Sequence, residues 1–85
     1  MMPGVQAVAS GSRSTRSHQD DRILAVVRGR LRVELAPPAG GPPASLRASD
    51  ALAIPARTAY TIEAVQDSEI FLYADRSAQP ELWGV

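Results

Sequence analysis

Fourteen consecutive residues constrain the fold more than anything else in this chain: Arg22-Ile-Leu-Ala-Val-Val-Arg-Gly-Arg-Leu-Arg-Val-Glu-Leu35. The first half is a continuous aliphatic and β-branched run without helical period, as expected of a strand covered on both faces. Gly29 punctuates it. The second half alternates strictly, which places Leu31, Val33 and Leu35 on one face of a strand and Arg30, Arg32 and Glu34 on the other. Two such runs joined at a glycine, with no room for a helix between them, predict a hairpin or a bent strand.

The flanking sequence repeats this style. Val5 to Ala9 is short and apolar and reads as an opening strand, while Ser10 to Ser17 is small, polar and basic and reads as a loop. Ala36 to Ala44 holds four prolines and two glycines, so it cannot continue a sheet and is expected to be an exposed loop. Beyond it, Ala51–Ile54, Thr58–Ala64 and Glu69–Ala74 read as strands, separated by the turn residues Asp50, Pro55 and Asp67-Ser68. Short strands with regular turn signals predict an all-β barrel or sandwich. Its core is expected to contain Leu24, Val26, Leu31, Val33, Ile54, Ile62 and Leu72.

With 85 residues one domain at most is expected. It is expected to comprise an N-terminal strand and loop (1–20), a barrel core (21–75) and a C-terminal docking segment (76–85) that carries Leu82, Trp83 and Val85. A chain this short buries only about 60–65% of its unfolded surface. Without cysteine it has neither a disulfide framework nor a thiolate ligand or nucleophile, so packing and a partner subunit must supply its stability. Phe71 and Tyr73 share one face of their strand and Ile70 and Leu72 the other. One of these apolar faces is therefore expected to be covered by a second copy, making a homodimer. No apolar stretch reaches the roughly 20 residues of a membrane span, and no signal-peptide core is visible, so a cytoplasmic protein is expected. Nine basic and nine acidic residues cancel, which argues against a nucleic-acid footprint. The basic residues are all arginine, a coding bias of GC-rich bacterial genomes.

The stretch from Asp21 to Asp75 resembles the cupin superfamily. Arg22–Leu35 looks like the end of the first cupin motif. Ser49-Asp-Ala-Leu-Ala-Ile-Pro-Ala-Arg-Thr-Ala-Tyr60 looks like the second, with Asp50, Pro55 and Tyr60 at the family's intervals. The resemblance implies a double-stranded β-helix, or jelly-roll barrel, with a site inside it. Ser49 and Arg57 stand where the motif has glycines.

At the positions the family uses for metal ligands, this chain has Arg22 for the glutamate and Tyr60 for the last histidine. The two earlier histidines fall on Arg16 and His18, or one residue earlier with the longer spacing. Only His18 is a usual ligand, and guanidinium groups oppose a cation directly. Asp20 or Asp21 would have to substitute through a bulged strand start. A metal-free site with no cofactor is therefore expected, in which His18, Arg22 and Tyr60 bind a small organic, anionic molecule. In that reading Arg22 is the cationic anchor, and His18 and Tyr60 orient the ligand. The alternative is a metal-independent isomerase, epimerase or cyclase using the same residues for charge stabilisation and proton transfer, and a metal-dependent oxygenase with atypical ligands trails both. Each residue also has a plain structural explanation: an exposed loop histidine, a strand-end arginine reaching solvent, and a tyrosine filling the volume of a lost histidine and metal.

Overall fold

The computed structural model describes residues 5–74, and the expected docking segment around Trp83 lies outside them. The described residues form eight strands: β1 (Val5–Val8), β2 (Arg13–Arg16), β3 (Arg22–Arg28), β4 (Arg30–Leu35), β5 (Ala44–Arg47), β6 (Ala51–Ile54), β7 (Tyr60–Ala64) and β8 (Ser68–Ala74). They build two four-stranded antiparallel sheets, ordered β1-β8-β3-β6 and β2-β7-β4-β5. The all-β jelly-roll expectation is met.

Gly29 decides the topology. β3 pairs with β6 and β8, whereas β4 pairs with β5 and β7, so the two runs are one bent strand that changes sheet and not a hairpin. Gly29 has φ of 100°, and a Cβ there would run into the Ser68 side chain and the Asp67 backbone. Only glycine combines that conformation with that close approach. Ser68 is buried on the other side of the bend. Its hydroxyl accepts from the Arg30 backbone N–H at 3.0 Å and donates to the Gln66 carbonyl at 2.8 Å. It is the first residue of β8 and not part of the preceding turn.

Inward-facing residues of the two sheets meet in one core of Leu24, Val26, Leu31, Val33, Leu46, Ile54, Tyr60, Ile62, Ala64 and Ile70. Six of the seven expected core residues are buried, and Leu72 is partly buried and packs against the same core. The segment between Ala36 and Ala44 is a mostly exposed loop, as expected. Two strands escaped the sequence pattern. β2 lies inside the stretch read as a loop, where Arg-Ser-Thr-Arg has no apolar alternation, and it is an edge strand held only by β7. β5 follows the proline loop with just Ala44 and Leu46 turned inward, and it too is an edge.

Ser49 and Arg57, the residues standing in for motif glycines, both have positive φ, at 79° and 58°. The backbone keeps the left-handed turns and tolerates side chains there. The Arg57 N–H donates to the His18 carbonyl at 2.7 Å, which ties that turn to the segment before β3.

Candidate functional site

Register brings the expected residues to one end of the sandwich. Tyr60 opens β7 and is the cross-strand partner of both Arg16 and Leu35. Partners in an antiparallel ladder share a face, so Arg16 faces the interior with Tyr60. Arg22 opens β3 opposite Ile54 and Ala74, and it shares the inward face with Leu24 and Val26. His18 sits on the link between β2 and β3, half-buried. Its Nε2 and the Tyr60 hydroxyl are 2.6 Å apart, with ring centroids at 5.6 Å.

Tyr60 is 1% exposed, so its hydroxyl reaches the site only through His18. The Arg16 guanidinium donates to the Gln6 side-chain oxygen at 2.8 Å, bridging the edge strands β2 and β1 of the two sheets. The Arg22 Nε donates to Asp20 at 2.8 Å. Its side chain is 30% exposed against 56% for Asp20, so this ion pair is solvated and contributes little to stability.

The three residues expected from sequence are thus neighbours, with Arg16 as a fourth. Sequence patterning alone gave no reason to turn Arg16 inward, because its strand reads as a polar loop. The motif position was its only signal.

The electrostatics are cationic. Burial lowers the His18 pKa from its ordinary value, and Arg22 and Arg16 lower it further against an opposing pull from Asp20. Burial raises the Tyr60 pKa, while Arg16 and Arg22 favour its anion. The hydrogen bond from Arg22 holds the Asp20 carboxyl below its usual range. These effects favour the neutral form of His18. Its contribution to stability is present above its unfolded pKa near 6.5 and is lost as pH falls through the lowered folded value.

This donor set does not fit a divalent cation. Two guanidiniums occupy ligand positions, Asp20 is paired with Arg22, and Asp21 accepts the Ala56 backbone N–H at 2.8 Å. Among the described residues no three His, Cys, Asp or Glu side chains gather in a metal-binding group. Beneath the proline-rich loop lies an apolar cavity of about 110 Å³ bordered by Val33, Leu35, Ala44 and Leu52, of which Leu35 is the cross-strand partner of Tyr60.

Comparison with solved structures places this architecture. The chain superposes on a cupin superfamily protein from Desulfitobacterium hafniense with a TM-score of 0.71 at 16% identity, over 87% of this chain and 69% of that one. It matches the cupin domain of CENP-C from Drosophila melanogaster with a TM-score of 0.71 at 18% identity, over 84% of this chain and 58% of that one. A conserved protein of unknown function from Streptococcus pyogenes gives a TM-score of 0.72 at 14% identity, over 82% of this chain and 59% of that one. The chain therefore has the cupin fold, and it spans roughly three-fifths of the length of two of these three neighbours. No family model matches the sequence, and no curated protein does either.

Proposed function

We propose that this small cupin-fold protein binds a short organic acid at the end of the sandwich where Arg16, His18, Arg22 and Tyr60 meet. One observation carries the reading: two inward-facing guanidiniums accompany the His18–Tyr60 pair, and the only described carboxylate paired with either is the exposed Asp20. An arginine in a partly dry site is stabilised by an anion that can accept two of its N–H bonds. The ligand carboxylate replaces water, and Asp20 in part, at Arg22. Its aliphatic body enters the cavity at Leu35, the cross-strand partner of Tyr60. The bound carboxylate favours uptake of a proton from solvent by His18, which Tyr60 holds in place, and the remaining ring nitrogen then donates to the ligand.

Proton-transfer catalysis is the weaker reading, because Tyr60 is sealed behind His18 and leaves one titrating group to serve as both acid and base. Calorimetry with acetate, butyrate and malonate tests the binding reading. Saturable binding is expected, tighter for butyrate than for acetate. Losing a charge-assisted hydrogen bond worth about 1.5–3 kcal/mol should weaken it roughly tenfold or more in Arg22→Gln or Arg16→Gln. Equal affinity in wild type and both variants would refute it.

A second copy of the chain is the proposed partner. The outer face of the β1-β8-β3-β6 sheet carries Val5, Ala7, Phe71, Tyr73, Ile23, Ala25, Val27, Ala51 and Ala53, with charge confined to the Arg28–Glu69 end. Four strands of up to seven residues give this face a footprint of roughly 400 Å², and an apolar patch of that size is often functional. Its four alanines leave recesses between Ile23, Phe71 and Tyr73, which suits self-complementary packing about a two-fold axis. Protein docking on this fold has a precedent in the Drosophila CENP-C structure with bound CAL1.

A further inference from the structure

The outer face of the other sheet contains a second cationic locus, unconnected with the barrel end. Arg30 of β4 and Arg47 of β5 are direct cross-strand partners. The Arg30 N–H bonds to the Ser68 hydroxyl and its carbonyl accepts from the Val65 N–H. Arg47 turns its own N–H and carbonyl to Asp50, at 3.0 and 2.9 Å. Neither residue spends its backbone on the other, so this is a non-hydrogen-bonded pair, the geometry in which opposed side chains approach most closely.

Like charges placed directly opposite destabilise a ladder. Arg32, two residues along β4, projects from the same face and pairs with Ser45. Among the described residues no carboxylate lies within ion-pair distance of Arg30, Arg32 or Arg47. Glu63 of β7 faces Arg32 in register and Glu34 follows it on β4, while the Asp50 carboxylate is taken by the Arg47 backbone N–H, so Arg30 and Arg47 face each other with no acidic cross-strand partner. A surface cavity of about 340 Å³ is lined by Arg30, Arg32, Pro43, Ser45 and Val65.

The geometry points to a binding site for a doubly charged oxyanion of the phosphate type, held by Arg30, Arg32 and Arg47 with the Ser45 hydroxyl. Opposed planar forks suit a tetrahedral dianion, because each guanidinium donates two N–H bonds to separate oxygens. A single carboxylate would satisfy one fork and leave the other unpaired. The anion removes the repulsion between Arg30 and Arg47, so its binding and the stability of the β4–β5 edge rise together.

The test is a titration of the arginine Nε–H signals of the full chain by NMR with inorganic phosphate and methyl phosphate, against acetate and chloride at matched ionic strength. Saturable shifts at Arg30 and Arg47 are expected with both phosphates, and weaker ones with acetate. Arg47→Gln should weaken phosphate about tenfold, the loss of one charged hydrogen-bond pair. It should also raise the melting temperature in chloride while abolishing the extra rise that phosphate gives the wild type. Arg30→Gln is the second variant and should behave alike. Arg16→Gln should leave phosphate binding at this locus unchanged, which separates this site from the barrel end. Non-saturating shifts, equal responses to phosphate and acetate, or an Arg47→Gln variant that binds phosphate as the wild type does would each overturn the assignment.

Discussion

The two sheets share one core but show solvent opposite outer faces. On the β2-β7-β4-β5 sheet every outward residue is polar: Arg13 and Thr15, Thr61 and Glu63, Arg30, Arg32 and Glu34, Ser45 and Arg47. On the β1-β8-β3-β6 sheet the same parity gives valine, alanine, isoleucine, phenylalanine and tyrosine, with Val27 45% and Tyr73 44% exposed. Strict alternation is what one solvated face demands, and a doubly apolar strand is what two covered faces demand. The first sheet thus presents a polar outer face and the second an apolar one, which is the face proposed above to meet a second copy.

Matched substitutions sharpen that difference, starting with the largest effect. Phe71→Glu puts a charge at the centre of the apolar face and should abolish dimers, since burying an unpaired charge costs several kcal/mol. Thr61→Glu, its counterpart on the polar face, should leave association unchanged. Sedimentation velocity at low micromolar concentration reads both. A wild type that is monomeric there would remove the distinction between the faces.

Next is the hinge that lets one run serve both sheets. Gly29→Ala combines a positive-φ strain of about 1–2 kcal/mol with overpacking against Ser68 and Asp67 of about 1–3 kcal/mol. Denaturant unfolding should show a loss of roughly 2–5 kcal/mol. A loss below about 1 kcal/mol would mean that the sheets are not locked at this bend.

The smallest effect concerns the turn carrying Arg57. Replacing it with glycine relieves the left-handed strain at the expense of unfolded-state entropy, for a net gain of about 0.5–1 kcal/mol. A destabilised Arg57→Gly would show that the side chain contributes packing beyond its backbone bond to His18.

How much of this was legible in the sequence follows from where each residue's signal comes from. β1, β3, β4, β6, β7 and β8 were readable because aliphatic runs and alternation report burial directly. β2 and β5 were not, because edge strands with few inward apolar residues depend on the register of a neighbour, which local pattern does not contain. The His18–Tyr60 pair and the inward-facing Arg22 at the start of β3 were legible only through the motif intervals. Arg16 shows the limit. Apart from its motif position, an arginine in a polar tetrapeptide gives no sign of its orientation until Tyr60 is set opposite it. Likewise, the repulsive Arg30–Arg47 pair could not be foreseen while β5 was unrecognised.

The ionisation of His18 tests the central claim, a cationic, anion-seeking barrel end, most directly. Its imidazole can be followed by NMR across pH 4 to 8, with and without a saturating short carboxylate at constant ionic strength. Desolvation and the charges of Arg22 and Arg16 predict a midpoint below the ordinary value near 6.5, which moves upward when the anion binds and toward the ordinary value in Arg22→Gln. A midpoint at or above 6.5 that neither the carboxylate nor the substitution moves would contradict the account.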